Sequence, residues 1–440
     1  MGSHQEMLVL CGIGYWVQGF RVFPWLALNF HMVHALNLQP SMLQLVQNFG
    51  NLPMVAKPLY GVLSDALYIW GAHRIPYISI GAFLQVLSWG PLALIPFVGQ
   101  SLPTLMVCIL VSNLGASIAE VAKDALTAEY GYNKKISGLQ SYAFMALAAG
   151  AILGNMFGGY FLLKTQQPRM MFFFFSLLLS VQLGISFIMT EGSLGLPGPS
   201  NIVKRSISEN LHEQFSGLMK AIKEEMIYLP LLWIVASISM VPVLPGAIFC
   251  YQTQFLKLDS SIIGMSKVIG QLMLLLATIM YDRYWKRIPM RRLMSTVQIV
   301  YATSLLLDLI LVKQINLKLG VSNELFVLCL SGLAETAAQF KLLPFSVLLA
   351  SSCPPGCEGS LTSFLASALC SSSIISGFLG VGLTSLIGIS AGDYSRLQFG
   401  IILQFIAALV PLGWISYVPL CQSGDRNETK RGWIKRSQRT

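Results

Sequence analysis

Apolar residues gather along this chain in long blocks, cut by Pro, Gly and charge, instead of alternating with polar ones. Twelve such blocks fall near residues 8–36, 42–64, 75–97, 103–128, 138–163, 170–190, 229–255, 261–282, 291–312, 323–350, 359–388 and 395–419. About 20 apolar residues in a helix match the thickness of a bilayer core. Peptide groups in hydrocarbon must be satisfied within the segment itself, which leaves the helix as the form for such blocks. The period-two alternation of a membrane barrel is absent from the sequence. The pattern therefore predicts an all-α polytopic membrane protein with twelve transmembrane helices. A polar stretch divides them into an N-terminal six-helix bundle (1–190) and a C-terminal one (229–420), followed by a basic tail (421–440). The dividing stretch, 191–228, opens on a Gly/Pro-rich break. It then spaces Leu211, Phe215, Leu218 and Ile222 at i, i+4, i+7 and i+11, the stripe of an amphipathic helix lying on a membrane surface; a simple tether is the alternative.

Composition agrees. The chain is 54% apolar and 11% charged, against about 25% charged in soluble domains, which excludes a soluble enzyme. The formal charge of +10 is unevenly placed. Eighteen Lys and Arg fall in the linker, the tail and the loops on the side of the termini, and six in the opposite loops. By the positive-inside rule both termini face the cytosol or its equivalent. The charge thus reports orientation and contact with lipid, and nucleic-acid binding is not expected. Eight Cys in 440 residues are too dilute for a disulfide scaffold. No catalytic or phosphate-binding motif occurs, so neither an enzyme nor an ATP-driven pump is expected, and no cofactor. His31 and His34 have no acidic or Cys neighbours in sequence and give no metal site. The N-terminus shows neither a secretory signal nor a transit peptide, and the organelle is left open among plasma membrane, vacuole and chloroplast envelope.

The two halves repeat. Asp65 and Asp282, after the second and eighth blocks, lie 217 positions apart, and Arg74 and Arg292 218 apart. Glu120 in Ile118-Ala-Glu-Val-Ala and Glu335 in Leu333-Ala-Glu-Thr-Ala are separated by 215. Parallel repeats of this kind bind solute near the midplane between the halves. Asp65, Arg74, Asp282 and Arg291, at the membrane surface, are expected to latch the halves in one state; orienting charges are the plainer alternative.

Arg21, Lys57, Glu120, Lys123, Asp124, Lys267, Asp308, Glu335 and Lys341 sit inside the apolar blocks. Six of them facing lipid would cost on the order of 15–20 kcal/mol, above the usual folding stability of about 5–15 kcal/mol. Most must face protein or a water-filled cavity. Glu120, Lys123 and Asp124 share a helix face at i, i+3 and i+4. Glu335 would bring a second carboxylate from the other half, and Arg21, Lys57 and Lys341 would supply positive charge. Buried ion pairs that only fix helix packing are the alternative. Lys267 and Asp308, near helix ends, are expected to snorkel. In the first block, Tyr15, Trp16, Phe20, Phe23 and Trp25 with Gln18 and Arg21 between them suit either a flat heterocycle or an interfacial belt.

The six-plus-six plan resembles the major facilitator superfamily. More narrowly the chain resembles the folate-biopterin transporter family. The matching stretches are Lys57-Pro-Leu-Tyr-Gly-Val-Leu-Ser-Asp65 with Gly71-Ala-His-Arg-Ile-Pro-Tyr77, Asp124-Ala-Leu-Thr-Ala-Glu129 with Gly138-Leu-Gln-Ser141, and Cys353-Pro-Pro-Gly-Cys-Glu-Gly359. The resemblance implies secondary transport of folates or pterins. On this expectation Glu120, Asp124 or Glu335 takes the pterin ring, whose parallel donors suit a carboxylate. Arg21, Lys57 or Lys341 takes an anionic tail, and one carboxylate is placed to carry a coupling proton. A facilitator of another small organic solute, or a non-transporting receptor or scaffold, are the competing readings.

Overall fold

The computed structural model describes residues 3–69, 72, 74–134, 139–192, 194, 225–330, 332–352 and 358–419. The helix expected on the membrane surface, the basic tail and the Cys353–Cys357 turn lie outside the described residues. The N-terminal half contains α1 (Ser3–Phe20), α2 (Val22–His34), α3 (Pro40–Gly50), α4 (Leu52–Val55), α5 (Lys57–Ala66), α6 (Ile75–Leu94), α7 (Leu102–Lys134), α8 (Leu139–Thr165) and α9 (Pro168–Ile188). The C-terminal half contains α10 (Glu225–Ser239) and α11 (Pro245–Cys250), which runs into a π turn over Tyr251–Phe255. It continues with α12 (Ser260–Arg283), α13 (Met290–Val312), α14 (Ile315–Lys318), α15 (Asn323–Leu330), α16 (Gly332–Ser352), α17 (Glu358–Ile387) and α18 (Leu397–Leu409).

Among the described residues, ten helices are long and apolar enough to cross a membrane. The two remaining predicted blocks, 42–64 and 229–255, are helical but broken. A proline within a helix lacks an N–H and collides with the carbonyl four residues back. Pro53 and Pro58 accordingly split the first at Asn51 and Ala56, and Pro242 and Pro245 split the second over 240–244. The carbonyls so released cannot turn to lipid, and side chains take them up. Asn113 Nδ2 donates to Gly50 O (2.5 Å), Ser367 Oγ to Val55 O (2.5 Å), Ser376 Oγ to Val241 O (2.5 Å) and Gln44 Nε2 to Val243 O (2.7 Å). Ser367 and Gln44 make these bonds from the other half of the molecule.

The halves meet along two seams, α8 on α12 and α17 on α3 to α5. A Cβ at Gly264 of α12 would fall 2.6 Å from Asn155 O, and one at Gly246 of α11, which also packs on α3, would fall 2.8 Å from Pro40 O, so both positions admit only glycine at this spacing. Ser260 Oγ adds a bond to Gly159 O (3.1 Å) across the first seam. Following the chain through its alternate crossings, residues 40–48, 155–159, 243–246, 260–264 and 377–380 all belong to the face opposite the termini. That face is sealed by backbone-to-backbone contact. Within the halves aromatic side chains fill the remaining space. Trp89 packs on Phe172 and Phe175 (5.3 and 5.7 Å between rings), and Trp233 stacks on Phe345 (5.6 Å) while donating to Pro411 O.

Candidate functional site

Glu120, in the middle of α7, is held between two cations. Lys57 Nζ approaches Oε2 at 2.8 Å and Arg21 Nη1 approaches Oε1 at 3.4 Å. Each cation owes its place to a local backbone feature. Lys57 is the first residue of α5, delivered there by the break at Ala56, and Arg21 is the junction of α1 and α2. Arg21 Nη2 also donates to Asn113 Oδ1 (2.5 Å), and its guanidinium lies 6.0 Å from the Trp25 ring. Asn113 is the residue that takes up Gly50 O, so the proline break and the charge cluster are one construction.

Lys123, one turn on, is turned toward α1. Its Nζ donates to Gly14 O (2.9 Å) and Gln18 Oε1 (2.7 Å) and lies 5.2 Å from the Tyr15 ring, a cation–π distance. Tyr15 in turn donates to Asp124 Oδ1 (2.5 Å). Asp124 is exposed whereas Glu120 is buried. Of these residues, Arg21, Glu120 and Lys123 border a small pocket together with Gln18, Gln85 and Gln182. Three cations against two carboxylates leave the cluster one positive charge in excess. The α1 aromatics are spent on packing: Phe20 stacks between Trp16 and Phe23 (5.0 and 4.9 Å), and Phe23 meets Phe161.

The C-terminal half repeats the central pair. Lys267 Nζ lies 2.5 Å from Glu335 Oε2, and Gln339 Nε2 donates to Glu335 Oε1 (3.3 Å). Glu335 thus finds a lysine on the neighbouring span, as Glu120 finds Lys57. The pair lines a small pocket with Ser266, Gln271 and Thr336. Three expectations change here. Lys267 does not snorkel, because an acid faces it. Glu335 does not join the Glu120 cavity but borders a pocket of its own. Lys341 is not a cavity cation: it is 1% exposed, with Nζ 3.1 Å from Gln298 Oε1, 3.5 Å from Ser237 O and 5.2 Å from the Tyr301 ring. It ties α16 to α10 as Lys123 ties α7 to α1.

Residues 18–433 match the family model described as the BT1 family. The chain belongs to the BT1 family. Among its relatives in Arabidopsis thaliana, probable folate-biopterin transporter 9, chloroplastic, is 59% identical over 436 residues, 99% of this chain and 81% of the relative. Probable folate-biopterin transporter 8, chloroplastic, is 60% identical over 431 residues, 98% of this chain and 79% of the relative. A solved D-xylose-proton symporter superposes with a TM-score of 0.66 at 14% identity, over 96% of this chain and 99% of that one. That likeness concerns the fold, which is the major facilitator fold expected from the twelve blocks.

In this BT1-family chain, the contacts described for Arg74 and Arg291 run within their own halves. Arg74 is buried, pairs with Glu129 through Nε (3.1 Å) and Nη2, and donates to Ser64 Oγ (2.6 Å). Glu191 accepts from the N–H groups of Arg74 (2.5 Å) and Ile75 (3.0 Å), capping α6. These partners all lie in the N-terminal half. Arg291 donates to Val418 O (2.9 Å) and Ser416 O (2.8 Å), in its own half. Asp282 is exposed, and the Asp65 side chain lies outside the described residues. Among the described residues, side-chain bonds that join the halves come from Gln44, Ser260 and Ser367, polar residues without charge. The proline pairs hold the signal by which Gln44 and Ser367 could have been found, since they announce carbonyls in need of donors.

Proposed function

We propose that this chain is a secondary transporter that moves folates or pterins across a membrane by alternating access. The observation that carries the reading is Glu120, gripped mid-span by Arg21 and Lys57 beside an exposed Asp124, with the arrangement repeated by Glu335 and Lys267. An ion pair set within the spans of both halves has no use in a passive scaffold, and in repeat transporters solute binds between the halves. The names of relatives at 59% and 60% identity support the folate and pterin class. The pterin ring rests its donors on Asp124 or Glu120, and the cations receive an anionic tail. A carboxylate of this cluster carries the coupling proton. Both termini face the cytosolic side, supported by the excess of Lys and Arg there, so the sealed face is the opposite one and solute enters from the cytosolic side. A chloroplast membrane is the location in keeping with the names of those relatives.

Uptake of labelled folate and biopterin into liposomes bearing the purified protein, with and without a pH gradient, tests the reading. Glu120→Gln and Lys57→Ala are expected to lower uptake at unchanged protein content; wild-type rates in both variants reject the assignment.

A further inference from the structure

The pocket around Lys267 has a direction. On α12 the exposed apolar residues Met265, Leu272, Leu276 and Ile279 are spaced i, i+7, i+11 and i+14, one stripe at a helical period, and that stripe meets lipid. Lys267 projects about 150° away from the centre of the stripe. Between Gly332 and Phe345 of α16, Glu335 is the one exposed residue, its neighbours there being buried or half-buried. An ion pair turned from lipid and left uncovered opens onto the water between the halves. No large apolar side chain lines its pocket.

The cations within the spans differ in how firmly they are held. The side chains of Arg21 and Lys57 are 14% and 21% exposed against the buried Glu120, and Lys123 and Lys341 are 5% and 1% exposed against backbone and amide oxygens. The Lys267 side chain is 48% exposed, and its partner Glu335 is 47% exposed and already shared with Gln339. An ammonium has three donors, and a pair in water contributes little to stability, so Glu335 is a counter-ion that an arriving anion can replace. Resting on the transport reading above, we propose that Lys267 receives the carboxylate of the solute, displacing Glu335 onto Gln339, and that this pocket distinguishes carboxylate-bearing folates from uncharged pterins.

The test compares initial uptake of folate and of biopterin in liposomes for the wild type, Lys267→Gln, Lys267→Arg and the exchanged pair Lys267→Glu/Glu335→Lys. Losing one charge-assisted contact, Lys267→Gln should lower folate uptake about tenfold or more, leave biopterin within about twofold, and Lys267→Arg should retain folate uptake. Equal losses for both solutes, or restoration of folate uptake by the exchanged pair, would show a packing role and overturn the proposal, as would unchanged folate uptake in Lys267→Gln. A wild type that moves neither solute overturns the transport reading, and this proposal with it.

Discussion

Gln44 offers the sharpest test of how the sealed face is held. It is 1% exposed, and its Nε2 donates to Val243 O (2.7 Å) and to Gly377 O (2.9 Å), both in the other half. Gly377 O lies within α17 and has a helical partner as well, whereas Val243 O lies in the proline-broken stretch and depends on Gln44. In Gln44→Leu the volume is nearly kept and the donor is lost. A buried carbonyl left unmatched costs about 1–3 kcal/mol, and this cost falls on the sealed state alone, because separating the halves lets water reach the same oxygen. The equilibrium between access states should move toward opening by about 5- to 150-fold. Spin labels on Met42→Cys and Leu386→Cys, exposed positions on that face, report the separation by electron–electron distance measurement. The wild type should give one short distance and Gln44→Leu a second, longer population. An unchanged distance distribution would refute the reasoning.

Gly264→Ala places a methyl 2.6 Å from Asn155 O and 2.9 Å from Gly159 Cα, main-chain atoms that have no rotamer to yield. It should stop closure of the α8–α12 seam and abolish turnover while leaving a monodisperse protein in detergent, checked by uptake and size-exclusion chromatography. Arg74→Ala removes the buried guanidinium from Glu129, whose side chain is 32% exposed, and from Ser64, and should destabilise the N-terminal half by about 1–3 kcal/mol, read as a fall in Tm. Arg74→Lys should recover little of it, since an ammonium cannot reproduce the fork of contacts to Glu129 and Ser64. Lys341→Met should lower Tm through the acceptors it leaves on Gln298 and Ser237, yet keep the ratio of folate to biopterin uptake unchanged. A changed ratio would return Lys341 to the solute site.

Block length and charge spacing made much of this molecule legible. Hydrocarbon tolerates little besides helix, so the runs located the spans, and the price of charge in lipid gathered Arg21, Lys57, Glu120, Lys123 and Asp124 before any coordinates. The 215-residue interval between Glu120 and Glu335 likewise marked equivalent positions in the two halves. What sequence spacing could not convey was direction. Lys267 and Lys341 both stand in apolar runs, and only packing tells that one opens on water while the other is enclosed by Tyr301 and Gln298. Arg74 and Arg291 sit at a membrane face where a latch and an internal brace have the same sequence signature, and the contact of Arg74 with Glu129 within one half is visible only in the packing. Gln44 carries no charge, and its task arises from a carbonyl 199 residues away.

The bonds across the seams join a side chain of one half to the main chain of the other. A carbonyl oxygen is the same in every amino acid, so mutation at Val55 or Val243 leaves the acceptor standing, and in each of these two bonds the donor alone, Ser367 or Gln44, is open to heritable change. Drift in the resting preference for one side of the membrane therefore needs no matched pair of substitutions. A single codon can set it, and a single reversion can restore it.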